Sequence, residues 1–236
     1  MWPEVEKAKA ESKRELMFTG PQFAEQLKKN NNELDKDLLK IKVLNFLTIK
    51  NSDFMTIPKE INQLENLQSL LLFGNKIEVV PESINLLSKL KVLDFSNNNI
   101  KEFNFDCAKM ESLFSVNLSG NQITNFRMEN ATVHILEMSN NKLQEFPIIP
   151  SVVEVSEDYE NTWNFNSLFL NPFQMKLNNN EITELPDNIP GTVLKFLEMT
   201  ANKVTAFPKS FSTLKLKSKK FLDYFGHHFL LIMFSF

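Results

Sequence analysis

The sequence is poor in the residues on which most active-site chemistry depends. Its 236 residues include one cysteine, three histidines and five glycines. A single thiol forms no internal disulfide, and with three histidines it cannot assemble a zinc cluster. Five glycines leave little material for a phosphate-cradling loop. Neither charge sign dominates: 26 Lys+Arg stand against 29 Asp+Glu, for a net charge of −3. A general polyanion binder needs a basic excess, so DNA is not an expected partner. The one long apolar run, Phe229–Phe236, has eight residues, whereas a bilayer span needs about 20. The first residues, MWPEVEKAKAESKREL, lack the apolar core of a secretory signal. Sequons at Asn117 and Asn130 therefore read as chance matches. These absences predict a cytoplasmic protein, with the nucleus still open, that has no membrane contact, cofactor or metal site and is not an enzyme.

Apolar residues make up 42% of the chain, enough for a core, and they recur in a fixed frame. Aligned on Asn75, apolar residues stand at Leu67, Leu70, Leu72, Ile77 and Val80, with Pro81 following. The frame returns at Asn98, Asn121, Asn141, Asn180 and Asn202, and in a weaker first copy with Ser52 in the asparagine slot. Successive slots are 23, 23, 23, 20, 39 and 22 residues apart. The pattern L-x-x-L-x-L-x-x-N-x-L, in seven copies over roughly 41–214, resembles the leucine-rich-repeat family.

The alternation x-L-x-L-x has period two and predicts a short strand in each copy, leucines inward and the intervening residues outward. The asparagine falls where the chain leaves the strand. Its amide can bond backbone groups of its own and the adjacent coil, so the six asparagines Asn75, Asn98, Asn121, Asn141, Asn180 and Asn202 are expected to form a ladder. The proline six residues on begins the return, where Ile61, Leu64, Ile84 and Leu87 keep the step of three of a short helical turn. The predicted fold is an α/β repeat solenoid, a leucine-rich-repeat horseshoe with short parallel strands on its concave face and an N-terminal helical cap.

That cap is assigned to residues 1–40. The spacing predicts a helix from Pro3 to about Leu16, a break at Gly20-Pro21 and a second helix to about Lys29. The opening residues Trp2-Pro3-Glu4, Arg14-Glu15-Leu16 and Thr19-Gly20-Pro21 are similar to a leucine-rich-repeat subfamily. Its members carry a further domain resembling the B3/B4 module of the phenylalanine–tRNA ligase beta subunit. The resemblance implies a translation or RNA link by family analogy alone, assignable to no residue here.

Two stretches break the frame. The gap of 39 residues returns to 20 if 156–174 is removed. That segment reads as a functional loop or, preferably, a retained intron: Val155-Ser156 fits a GT-rich donor and Phe173-Gln174 a TTTCAG acceptor. A spliced message that still encodes Tyr159 and Trp163 refutes the intron. Residues 215–236 lack the repeat and end in strongly apolar sequence, which predicts an irregular, incomplete tail and an uncovered last coil.

The phase also predicts which strand positions face outward. One series is Thr48, Leu71, Asp94, Asn117, Glu137, Lys176 and Glu198; the next begins Lys50, Phe73, Ser96; a third begins Phe46, Ser69, Val92. Phe46, Leu71, Phe73 and Val92, with Asp94, Asn117 and Glu137, are the candidate contacts for an unidentified protein partner. Scattered surface apolar residues are the plain alternative. His134 has no nucleophile placed beside it by motif, and Cys107 falls where a small core residue is expected. The expected function is a non-enzymatic interaction scaffold.

Overall fold

The structure, a computed structural model, describes residues 1–129, 133–147, 173–187, 194–209, 218–220, 222–225 and 228–231. The chain forms a series of short strands: β1 (Glu15–Thr19), β2 (Phe46–Lys50), β3 (Ser69–Leu71), β4 (Val92–Asp94), then β5 (Glu102–Asp106) elsewhere, and β6 (Ser115–Asn117), with the repeats' leucine alternations in β2, β3, β4 and β6. After β7 (Asn125–Glu129), also elsewhere, come β8 (Ile135–Glu137), β9 (Phe173–Lys176), β10 (Leu194–Glu198) and β11 (Ser218–Lys220). Nine of these form one parallel sheet in the order β1-β2-β3-β4-β6-β8-β9-β10-β11. The second leucines lie in register: Leu47 on Leu70, Leu70 on Leu93, Leu93 on Val116 and Val116 on Leu136. No coil has an apolar face of its own to close on, so each buries its inward residues against its neighbours. Leu47, Leu70, Leu93, Val116 and Leu136 are each at most 1% exposed, within one continuous core.

The return paths change along the solenoid. Pro58 and Pro81, both extended, precede 3-10 turns at Lys59–Gln63 and Glu82–Leu86 that bury Ile61 and Ile84. Farther on the return is extended. β5 and β7 pair in parallel as a separate two-stranded sheet. Their sequences, EFNFD and NFRME, alternate in apolar character, which suits a strand and not a 3-10 turn. The rings of Phe103 and Phe105 lie 4.2 Å apart, and those of Phe103 and Phe126 5.9 Å apart.

The N-terminal cap departs from expectation. Helix α1 (Pro3–Ala10) ends well before Leu16, and Ser12 takes φ = 50°. Residues Glu15–Thr19 form β1, which pairs with β2 along Leu16↔Leu47 and Phe18↔Ile49. The reason is the local alternation: Leu16 and Phe18 are buried while Glu15, Met17 and Thr19 are exposed. A helix would have put these apolar residues on different faces. Helix α2 (Gly20–Lys29) follows directly, burying Phe23, Ala24 and Leu27. Trp2 closes the cap edge-on to Phe18 and Phe23, at 5.9 and 5.3 Å, while Phe18 and Phe23 stack at 4.5 Å. The Trp2 backbone N–H donates to Asp35. The solenoid end is thereby sealed by aromatic packing.

Most of the insert read at 156–174 lies outside the described residues. Its last two residues do not: Phe173 and Gln174 belong to β9, and Gln174 stands in register with Ile135 and Phe196. Backbone pairing and the position of Met175 extend this strand two residues into the segment. The tail also contains regular structure. β11 adds to the edge of β10, and β12 (Leu222–Phe225) pairs antiparallel with β13 (His228–Leu231). An open strand edge offers unpaired N–H and C=O groups whatever the side-chain pattern, so the sheet extends past the last good repeat. The expectation of an uncovered apolar end concerns side chains outside the described ones.

Candidate functional site on the concave sheet

The sheet is held in register by the asparagines. Asn98 donates to the Leu72 and Phe95 carbonyls at 2.9 and 3.0 Å, and its Oδ1 accepts the Ile77 N–H at 3.0 Å. Asn121 repeats this with Phe95, Leu118 and the Ile100 N–H. Asn141, Asn180 and Asn202 do the same on the following coils. Asn75 reaches back to the Ile49 carbonyl and the Ser52 and Phe54 N–H groups. Each rung bonds its own coil and the one before it. Ser52 instead turns its hydroxyl onto the Lys50 carbonyl at 2.7 Å. The coil before it runs straight into α2, which leaves no repeating turn for an amide to bond.

A second row was not anticipated from the sequence. The residue before each ladder position is left-handed: Asn51, Gly74, Asn97, Gly120, Asn140, Asn179 and Ala201, with φ between 49° and 70°. Asparagine and glycine are the residues that tolerate this conformation. A Cβ on Gly74 would lie 2.0 Å from Asn51 Oδ1, and one on Gly120 2.4 Å from Asn97 Oδ1. The signal was present, as Asn or Gly one residue ahead of nearly every ladder asparagine.

The outward residues form a grid over these rungs. Phe46 is 44% exposed, and Leu71, Phe73 and Val92 are half-buried on β3, the strand end beyond it, and β4. Met17 on β1, 50% exposed, borders the same patch opposite Thr48. The sequence reading missed Met17 by placing it in a helix tail. Thr48, read as outward, is 5% exposed: it faces the concave side but is enclosed by its neighbours. The Lys50 ammonium lies 5.9 Å from the Phe73 ring centroid, within cation–π range.

The polar candidates are partly committed to the fold. Asp94 Oδ1 accepts the Ser96 N–H at 2.9 Å, and Asn117 Oδ1 accepts the Ser119 N–H at 3.0 Å. Glu137 bonds Lys176 at 2.5 Å, across the coil junction where the long gap falls. That hydrogen bond holds the Lys176 ammonium above its usual pKa, with the Glu137 and Glu198 charges adding to it. The face is apolar toward the N-terminal side and small, polar and mildly acidic beyond Asp94.

The residues considered for chemistry are dispersed. His134 stacks on Phe114 at 5.0 Å just ahead of β8. Cys107 is 3% exposed, and burial pushes its thiol up to about 11, so it is a poor nucleophile. Among the described residues no three of His, Cys, Asp and Glu gather to hold a metal. Among them, too, no helix is long and apolar enough to cross a membrane.

Residues 65–123, which carry β3, β4 and β6 with three ladder rungs, match the family model for the leucine rich repeat. The chain is similar in fold to a plant ice-binding protein, at 17% identity and a TM-score of 0.51, covering 81% of this chain and 61% of that one. It is also similar to an internalin from Listeria monocytogenes, at 19% identity and a TM-score of 0.45, covering 80% and 57%. The chain thus spans about three fifths of each structure. The likeness to the plant protein, at 17% identity, is one of fold alone. No curated protein matches the sequence.

Proposed function

We propose that this leucine-rich-repeat solenoid is a protein-interaction scaffold whose concave sheet binds its partner. The fold is one typically used for protein binding. The observation that carries the reading is the patch of Met17, Phe46, Leu71, Phe73 and Val92 on adjacent strands, where outward positions are otherwise mostly polar. Apolar residues left exposed or half-buried together on neighbouring strands mark contact sites. The reading places the chain in the cytoplasm or nucleus, consistent with a solenoid that uses no disulfide. It assigns no catalytic role, and the matched family is a generally non-enzymatic one.

The resemblance of the opening to leucine-rich repeat-containing protein 47 falls on residues that here lie in the cap. Trp2 belongs to the aromatic seal, Leu16 is buried in β1 opposite Leu47, and Thr19–Pro21 opens α2. An RNA role gains no support on the concave sheet, where Asp94, Glu137 and Glu198 disfavour phosphate. The test is partner recovery by the full chain carrying Phe73→Glu, with unchanged circular dichroism as the folding control. Recovery should fall at least tenfold, as for loss of a buried interface anchor of about 1.4 kcal/mol or more. Unchanged recovery removes the patch from the account.

A further inference from the structure

The apolar patch ends at a carboxylate. Asp94 on β4 is the register partner of Leu71 on β3 and lies two residues beyond Val92 on its own strand. Oδ1 accepts the Ser96 N–H, which fixes the side chain, and the residue stays half-buried at the concave face. Among the described residues Asp94 forms no ion pair, whereas Glu137 on the same face is matched to Lys176. On the other flank Lys50 sits over Phe73. The patch therefore has a positive flank at one side and an unmatched negative one at the other.

We propose, building on the concave-face reading above, that the segment seated here is a basic amphipathic helix. Its apolar face packs on Leu71, Phe73 and Val92, and a Lys or Arg one turn along meets Asp94. Two spacings fit. Neighbouring strands lie about 4.8 Å apart, and a helix laid across them rises about 5.4 Å per turn. Residues at i and i+4 of such a helix lie about 6 Å apart, so an anchor over Leu71 sets the next turn over the adjacent strand and its carboxylate. Lys50 disfavours the reverse placement, because a basic group over Phe73 would meet its ammonium.

The charge can be removed without disturbing the fold. Asn117 occupies the same place one coil later and makes the same bond to its own Ser119 N–H, so Asp94→Asn keeps the geometry. The experiment selects a phage-displayed library of random helical peptides on the full chain, on Asp94→Asn and on Leu71→Glu. Selected peptides should carry an apolar residue with Lys or Arg three or four positions away. They should lose about tenfold in affinity on Asp94→Asn, as for a partly exposed charge-assisted bond, and all binding on Leu71→Glu. Peptides lost on Leu71→Glu but indifferent to Asp94→Asn would overturn the basic helix and leave the concave site standing. Failure to select any peptide sensitive to Leu71→Glu would overturn both.

Discussion

Removing adjacent rungs of the asparagine ladder should cost more than the sum of removing each. Asn98→Ala orphans the buried Ile77 N–H, whose acceptor is Asn98 Oδ1. The carbonyls it leaves are not orphaned: Leu72 still accepts from Asn75, and Phe95 still accepts from Asn121. One unsatisfied buried donor costs about 1–3 kcal/mol. Asn121→Ala has the same anatomy, orphaning the Ile100 N–H while Phe95 and Leu118 keep Asn98 and Asn141. The double variant strips both side-chain donors from the Phe95 carbonyl and should exceed the sum by about 1–3 kcal/mol. Asn98 and Asn141 share no carbonyl, so that pair should add to within about 0.5 kcal/mol. Urea unfolding of the two double-mutant cycles measures this directly. Equal coupling in both cycles, or none in either, would refute the shared-carbonyl reasoning.

Two further outcomes follow from single residues. Ala201 sits at φ = 55° where other coils place Asn or Gly, so Ala201→Gly should stabilise by about 1 kcal/mol in chemical denaturation, the relief of left-handed strain less the chain entropy of glycine. The buried Cys107 thiol has its folded pKa raised, to about 11 from 9.0, by desolvation and then by the Asp106 charge. The folded state thus holds the proton more tightly: the contribution is whole below pH 9 and is lost as pH rises through 11. At about 1.36 kcal/mol per unit it amounts to at most roughly 3 kcal/mol. Unfolding of wild type and Cys107→Ala between pH 8 and 11 should show a larger alkaline loss in the wild type, because the Lys176 ammonium, also held above its usual pKa by Glu137, titrates in both.

Much of this molecule is legible in the sequence because one physical constraint repeats. Inward Leu47, Leu70 and Leu93 must align for coils to seal each other, and the period exposes them. The asparagine slot is equally plain, since a buried turn needs one amide to satisfy donors and acceptors on two coils. The cap was less legible. A Lys/Glu-rich stretch favours helix as far as Leu16 and masks the alternation of Leu16 and Phe18 that makes Glu15–Thr19 a strand. That masking hid Met17 from the binding surface. The change from 3-10 turns to β5 and β7 was also missed, because the leucine frame fixes only the concave half of each coil. The return is free to follow local preference, as in EFNFD. Burial of Thr48 depends on the bulk of side chains on neighbouring strands, which phase alone does not report.

The central claim is that partners meet the concave N-terminal patch, and a site-specific photo-crosslinker tests it most directly. Benzoyl-phenylalanine would replace either Leu71, on the sheet, or Val79, which is 74% exposed but lies off the sheet. The account predicts a covalent adduct from position 71 and none from 79, with the adduct abolished by Phe73→Glu. An adduct from 79 alone, or equal adducts from both positions, would contradict it.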